Sequence, residues 1–101
     1  MAMDSMQPVQ PVQTIGHIRE MLEEWRGETV KVRANMGRSK VVEREGMILQ
    51  CYPALFVIEV FEKRSRRGRV SYQYVDILTG SVELIASGTE EPLFPWITFT
   101  G

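Results

Sequence analysis

The chain has 101 residues, 44% hydrophobic and 25% charged, with 12 Lys and Arg against 13 Asp and Glu for a formal charge of −1. That is the size and composition of one globular domain. One Cys and one His (Cys51 and His17) exclude an internal disulfide and a multi-cysteine metal site, and leave any zinc site or Ser-His-Asp triad resting on a single imidazole. No apolar run approaches the ~20 residues of a membrane span. The first residues lack the basic and apolar regions of a secretory signal, so a cytoplasmic protein is expected. The near-zero charge conceals a pattern. Residues 1–30 carry −3, residues 31–75, with ten basic and four acidic side chains, carry +6, and residues 76–101 carry −4.

Residues 1–13 repeat Gln-Pro-Val, and Pro8 and Pro11 keep a helix from starting, so a flexible arm is expected there. Ile15, Ile18, Leu22 and Trp25 then recur at helical spacing, with Met21 widening the stripe and Arg19, Glu20, Glu23 and Glu24 on the wet face. Thr14 suits the N-cap and Gly27 the left-handed stop. Strand patterns follow. Val30, Val32, Ala34 and Met36 alternate with Lys31, Arg33 and Asn35, which predicts one core face and one basic face. Residues 37–40 read as a polar turn, and 41–51 as a second strand with a bulge or bend at Gly46. Tyr52-Pro53-Ala54 reads as a turn and 55–61 as a third strand with Phe56, Ile58 and Val60 inward. Residues 63–68 form a hairpin loop before a strand in which Val70, Tyr72 and Tyr74 share a face. Residues 76–80 predict a single 3₁₀ turn, and Val82 and Leu84 mark a fifth strand.

One amphipathic N-terminal helix and five short, bent strands predict a mainly β fold, a small five-stranded SH3-like or Sm-like barrel. An open sheet covered by one helix would leave apolar surface wet and two edges unpaired, and closure removes both problems. The organisation is then an arm over 1–13, the helix and barrel over 14–86, and a Pro- and aromatic-rich tail over 87–101. In the tail, Leu93, Phe94, Trp96, Ile97 and Phe99 must dock on the chain itself, on a second copy in a homodimer, or on a partner.

Two basic clusters are the candidate binding residues. Lys63, Arg64, Arg66, Arg67 and Arg69 fall within seven positions, a tip able to grip phosphates or an acidic protein surface, or simply a solvated loop. Lys31, Arg33, Arg38, Lys40 and Arg44 form a second patch if the first two strands pair. Glu43 and Glu45 in the same hairpin neutralise part of it by cross-strand pairs of ~0–1 kcal/mol each. Tyr72 and Tyr74 read as core, Tyr52 as exposed, His17 as a helix-end residue and Cys51 as a small strand-end hydrophobe. No nucleophile–base pair, diagnostic carboxylate pair or Gly-rich phosphate loop is present, and neither a cofactor nor an enzymatic activity is expected.

Several ordered blocks together carry a resemblance: Arg33-Ala34-Asn35-x-Gly37-Arg38-x-Lys40-x-x-Glu43-Arg44-x-Gly46, Tyr52-Pro53-x-x-Phe56-Val57-Ile58, Ser71-Tyr72-x-Tyr74-x-Asp76-Ile77-Leu78-Thr79 and Val82-Glu83-Leu84. Over residues 14–86 the chain resembles the Veg family, small cytoplasmic proteins of Gram-positive bacteria. It departs from the family pattern at Met36, where a second glycine is common. The resemblance implies a stimulator of biofilm formation that acts on gene expression by relieving a DNA-binding repressor, with no catalytic residues to carry over. The family's basic block maps onto Arg33, Arg38, Lys40 and Arg44, whereas the basic loop at 63–69 has no family counterpart. Two readings follow. One is a regulatory protein-interaction module that contacts a transcriptional regulator, and the other is a nucleic-acid-binding barrel that places the two basic clusters on phosphates.

Overall fold

A computed structural model of the chain describes residues 14–37, 39–61 and 67–101. The arm expected over 1–13 lies outside the described residues, as do Arg38 and most of the loop with Lys63, Arg64 and Arg66.

Helix α1 (Ile15–Glu24) begins where Thr14 Oγ1 accepts the His17 N–H at 3.1 Å. Ile18 and Leu22 are fully buried and Met21 and Trp25 pack at the margin, while Ile15 stays exposed, so the apolar stripe is narrower than its spacing predicts. Gly27, at φ 86°, turns the chain in the left-handed region that favours glycine. Its N–H donates to the Ile48 carbonyl at 2.8 Å, which ties the helix exit to the sheet.

The sheet comprises β1 (Thr29–Asn35), β2 (Val41–Cys51), β3 (Leu55–Phe61), β4 (Arg67–Gln73) and β5 (Val82–Ala86), in the spatial order β4-β3-β2-β1-β5. All neighbours are antiparallel. Val30, Val32 and Ala34 of β1 and Phe56, Ile58 and Val60 of β3 are buried as their alternation predicts. Met36 is not: β1 ends at Asn35, whose side-chain oxygen accepts the Gly37 N–H at 2.8 Å, and the tight turn leaves Met36 63% exposed.

Strand β2 is long because it serves two partners. Its first half pairs with β1, from Val41↔Asn35 to Met47↔Thr29, and its second half with β3, from Gly46↔Val60 to Cys51↔Phe56. The two ladders overlap at Gly46, where a Cβ would run into the Glu59 carbonyl and the Ile58 side chain. The glycine therefore serves close approach of backbones. The bulge expected there sits further on, between Ile48 and Gln50.

The chain leaves β4 one residue earlier than expected. Tyr74 starts a short α-helix, α2 (Tyr74–Leu78), in place of the 3₁₀ turn predicted over 76–80. Tyr72 and Tyr74 both pack against Phe56, with ring centroids 5.9 and 5.7 Å away, but Tyr74 does so from α2.

The sheet is open, which corrects the closed barrel expected from the sequence. Each problem that closure would solve is met in part by other means. Helices α1 and α2 contribute Ile18, Leu22, Tyr74 and Ile77 to the core, and the tail adds Leu93 and Phe94. The tail also occupies the β5 edge: the Ala86 N–H donates to the Glu91 carbonyl at 2.8 Å and the Leu93 N–H to the Leu84 carbonyl at 2.9 Å. Those β5 groups are the ones closure would need. Further along, the Thr100 N–H donates to the Gly80 carbonyl at 2.9 Å, and Asn35 Nδ2 to Thr100 Oγ1 at 3.0 Å. His17 is half-buried against Trp96, at 6.0 Å between ring centroids, and so bridges α1 to the tail.

Gly46→Ala is expected to cost ~1–3 kcal/mol, the usual penalty for forcing a methyl into a packed site. Thermal unfolding reads this as a fall of about 4–8 °C per kcal/mol for a domain of this size. Gly88→Ala, with nothing within 4 Å of the added carbon, is the control and leaves the midpoint unchanged.

Candidate interaction surface

Residues directly opposite in an antiparallel ladder share a face, so the register sorts the basic side chains. Lys31 stands opposite Glu45 and Ile85, Arg33 opposite Glu43 and Glu83, and Arg69 opposite Glu59, all on the face away from the core. Arg44 stands opposite Val32 and therefore projects from the core-side face, where its Nη1 reaches the Tyr72 hydroxyl at 3.3 Å. Of the five cations predicted as one patch, Lys31 and Arg33 thus project from one side of the sheet and Arg44 from the other. Arg38 lies outside the described residues, and Lys40 is exposed beyond the end of β1.

On the outer face most cations among the described residues are already engaged. Lys31 Nζ meets the Glu90 carboxylate at 2.8 Å, and this hydrogen bond raises its pKa above the usual lysine value. Arg33 pairs with Glu83 at 3.2 Å while its guanidinium lies 5.0 Å from the centre of the Phe99 ring. Arg67 pairs with Glu59 at 3.3 Å and lies 5.9 Å from the centre of the Phe61 ring. Arg69 has no carboxylate partner among the described residues; it borders a shallow groove with Leu49, Gln50, Tyr52 and Val57. Tyr52 is exposed, as its turn position predicts.

The neutralising carboxylates differ from those the sequence singles out. Glu43 and Glu45 stand opposite Arg33 and Lys31 in register, yet the side-chain pairs go to Glu83 and Glu90, and Glu45 accepts from Ser87 Oγ at 2.8 Å. Glu83 and Glu90 lie 50 and 59 residues away in sequence, too far for any local pattern to link them. The acidic helix lays Ile18 and Leu22 on the core, and its Glu23 is linked to the sheet through Arg26, which bonds Glu23 Oε1 at 3.2 Å and Gln50 Oε1 at 3.3 Å.

A family model described as biofilm formation stimulator VEG matches residues 13–85. The chain belongs to the VEG family. No curated protein matches it. The matched span holds α1, α2 and the five strands up to Ile85, one residue short of the end of β5, so the VEG domain here is the two helices and the sheet. The tail that closes the β5 edge lies beyond the matched residues.

Among the described residues of this VEG protein no three His, Cys, Asp or Glu side chains are placed to hold a metal ion, and no helix is long and apolar enough to cross a membrane. Cys51 and Tyr74 meet at the core margin. Burial pushes the Cys51 thiol up, against a smaller opposing effect of the Tyr74 hydroxyl, and burial likewise pushes the Tyr74 hydroxyl up. The Tyr74 oxygen has no hydrogen-bond partner at bonding geometry, so the thiol is only a weak neighbour for it.

Two outcomes test this electrostatic arrangement. Replacing both Glu83 and Glu90 by Gln removes the carboxylates that hold Arg33 and Lys31, and the variant is expected to elute from heparin at higher salt than the parent chain; unchanged elution would show these pairs irrelevant to the face. Because thiolate is the reactive form, Cys51 is expected to react with iodoacetamide more slowly than free cysteine at pH 8. Its rate should keep rising as pH passes above 9, and a rate equal to that of free cysteine at pH 8 would place the thiol in water.

Proposed function

We propose that this VEG protein acts in the cytoplasm as a non-enzymatic regulator, influencing transcription through direct contact with a DNA-binding regulator. The observation that carries this reading is the interleaving of charge on the outer face. Lys31, Arg33 and Arg67 each have a carboxylate within 3.3 Å, and Arg44 projects from the other side of the sheet. A nucleic-acid groove needs several cations free to replace counterions along a phosphate chain. A face of paired charges with an exposed tyrosine and one unpaired arginine among the described residues instead suits a protein surface, where charge complementarity selects the partner. Family membership supports the same reading, since stimulation of biofilm formation is a regulatory effect.

Capture on the immobilised full chain, followed by transcript profiling of a deletion strain, tests it. A DNA-binding regulator is expected on the resin, and its target genes are expected to change on deletion. Duplex DNA and single-stranded RNA should bind weakly, with affinity nearly flat in salt. Tight binding whose logarithm falls with log salt at about −0.9 per phosphate on duplex, or −0.7 on single strands, would replace this reading with the nucleic-acid barrel.

A further inference from the structure

The two edges of the sheet are unlike. At β5 the outward Ala86 N–H and Leu84 carbonyl are taken by the chain's own tail, which supplies the Glu91 carbonyl and the Leu93 N–H. At β4 nothing among the described residues pairs with the edge. The Tyr74 N–H donates to the Ala54 carbonyl at 3.2 Å, which fixes the alternation of the β3–β4 ladder. Tyr72, Val70 and Gly68 then bond inward to β3, and the N–H and C=O groups of Arg67, Arg69, Ser71 and Gln73 point outward. Their side chains are all exposed on the outer face.

We propose that the β4 edge is a docking site for an extended, acidic segment of a partner protein, which adds to the sheet as a sixth strand. The backbone of the four outward residues supplies the hydrogen bonds, as in other strand additions. Charge selects the occupant: Arg67 is largely exposed and Arg69 has no carboxylate partner among the described residues, so alternate Glu or Asp side chains on the incoming strand meet opposite charge. A second copy of this chain would gather the arginines of two β4 strands on one seam with no added carboxylate. The inference rests on the protein-contact reading and names its surface.

The edge also provides a clean variant. Proline at Ser71 removes an N–H that points to solvent and makes no ladder bond, a position where sheets tolerate proline. Hydrogen exchange of the full chain is measured with a ten-residue peptide alternating Glu with Val, and with its Lys counterpart. The acidic peptide is expected to slow exchange at Arg67, Arg69, Ser71 and Gln73, and the basic one to leave it unchanged. Ser71→Pro should abolish binding with an unchanged melting midpoint, and Arg69→Glu should weaken it by roughly tenfold or more. Protection already present in the free chain would mean that the chain or a second copy covers the edge, and overturns the proposal. Equal protection by both peptides, none by the acidic one, or binding that survives Ser71→Pro does the same. Resin capture separates the two claims. A regulator recovered equally by the parent chain and Ser71→Pro sinks the edge alone, whereas no regulator on either sinks the protein-contact reading.

Discussion

At Gly46 the backbone of β3 passes so close to β2 that no side chain fits between them, and there β2 exchanges one partner strand for the next. This approach lets a long strand belong to two ladders at once. The sheet coils at the overlap, which carries Tyr72 of β4 within hydrogen-bonding reach of Arg44 on β2, a strand it does not adjoin. Coiling in turn creates a concave apolar face, and the rest of the molecule covers it. Ile18 and Leu22 arrive from before the sheet, Tyr74 and Ile77 from within the β4–β5 connection, and Leu93 and Phe94 from after it.

A coiled sheet with two edges has an unfinished hydrogen-bonding inventory, and the edges are finished differently. The segment around Pro92 runs along β5, with the N–H groups of Ala86 and Leu93 meeting carbonyls across the seam. Because the tail also buries Leu93 and Phe94, the same residues cap an edge and fill the core, and apolar burial favours that edge-capping arrangement. The opposite edge carries arginines at outward positions, a charge placement that guards a strand against indiscriminate pairing while leaving it open to an acidic one.

Electrostatics follows from the same topology. Lys31 and Arg33 sit on a strand flanked by β2 on one side and β5 on the other, so Arg33 has Glu43 and Glu83 opposite it, while Lys31 has Glu45 opposite it and Glu90 within reach from the turn after β5. The pairs are partly exposed and individually worth only ~0–1 kcal/mol. Their consequence is for recognition more than for stability: they leave the outer face patterned with both signs and, among the described residues, concentrate unpaired character at Arg69.

The local elements are legible in the order of the residues alone. The Thr14 cap, the Ile18–Leu22 stripe, the burial of alternate residues in β1 and β3 and the exposure of Tyr52 all follow from periodicity and capping chemistry, which act over a few residues and are visible in order. The family was legible too, since its blocks are contiguous. Tertiary structure alone decided whether the sheet closed, because the competitor for the β5 edge is a tail whose pairing partners no period reveals. It alone decided that Arg44 parts from Lys31 and Arg33, since one step of register reverses a side chain. And it alone supplied Glu83 and Glu90, which reach the basic strand through antiparallel pairing and a turn, over separations at which sequence carries no geometric signal.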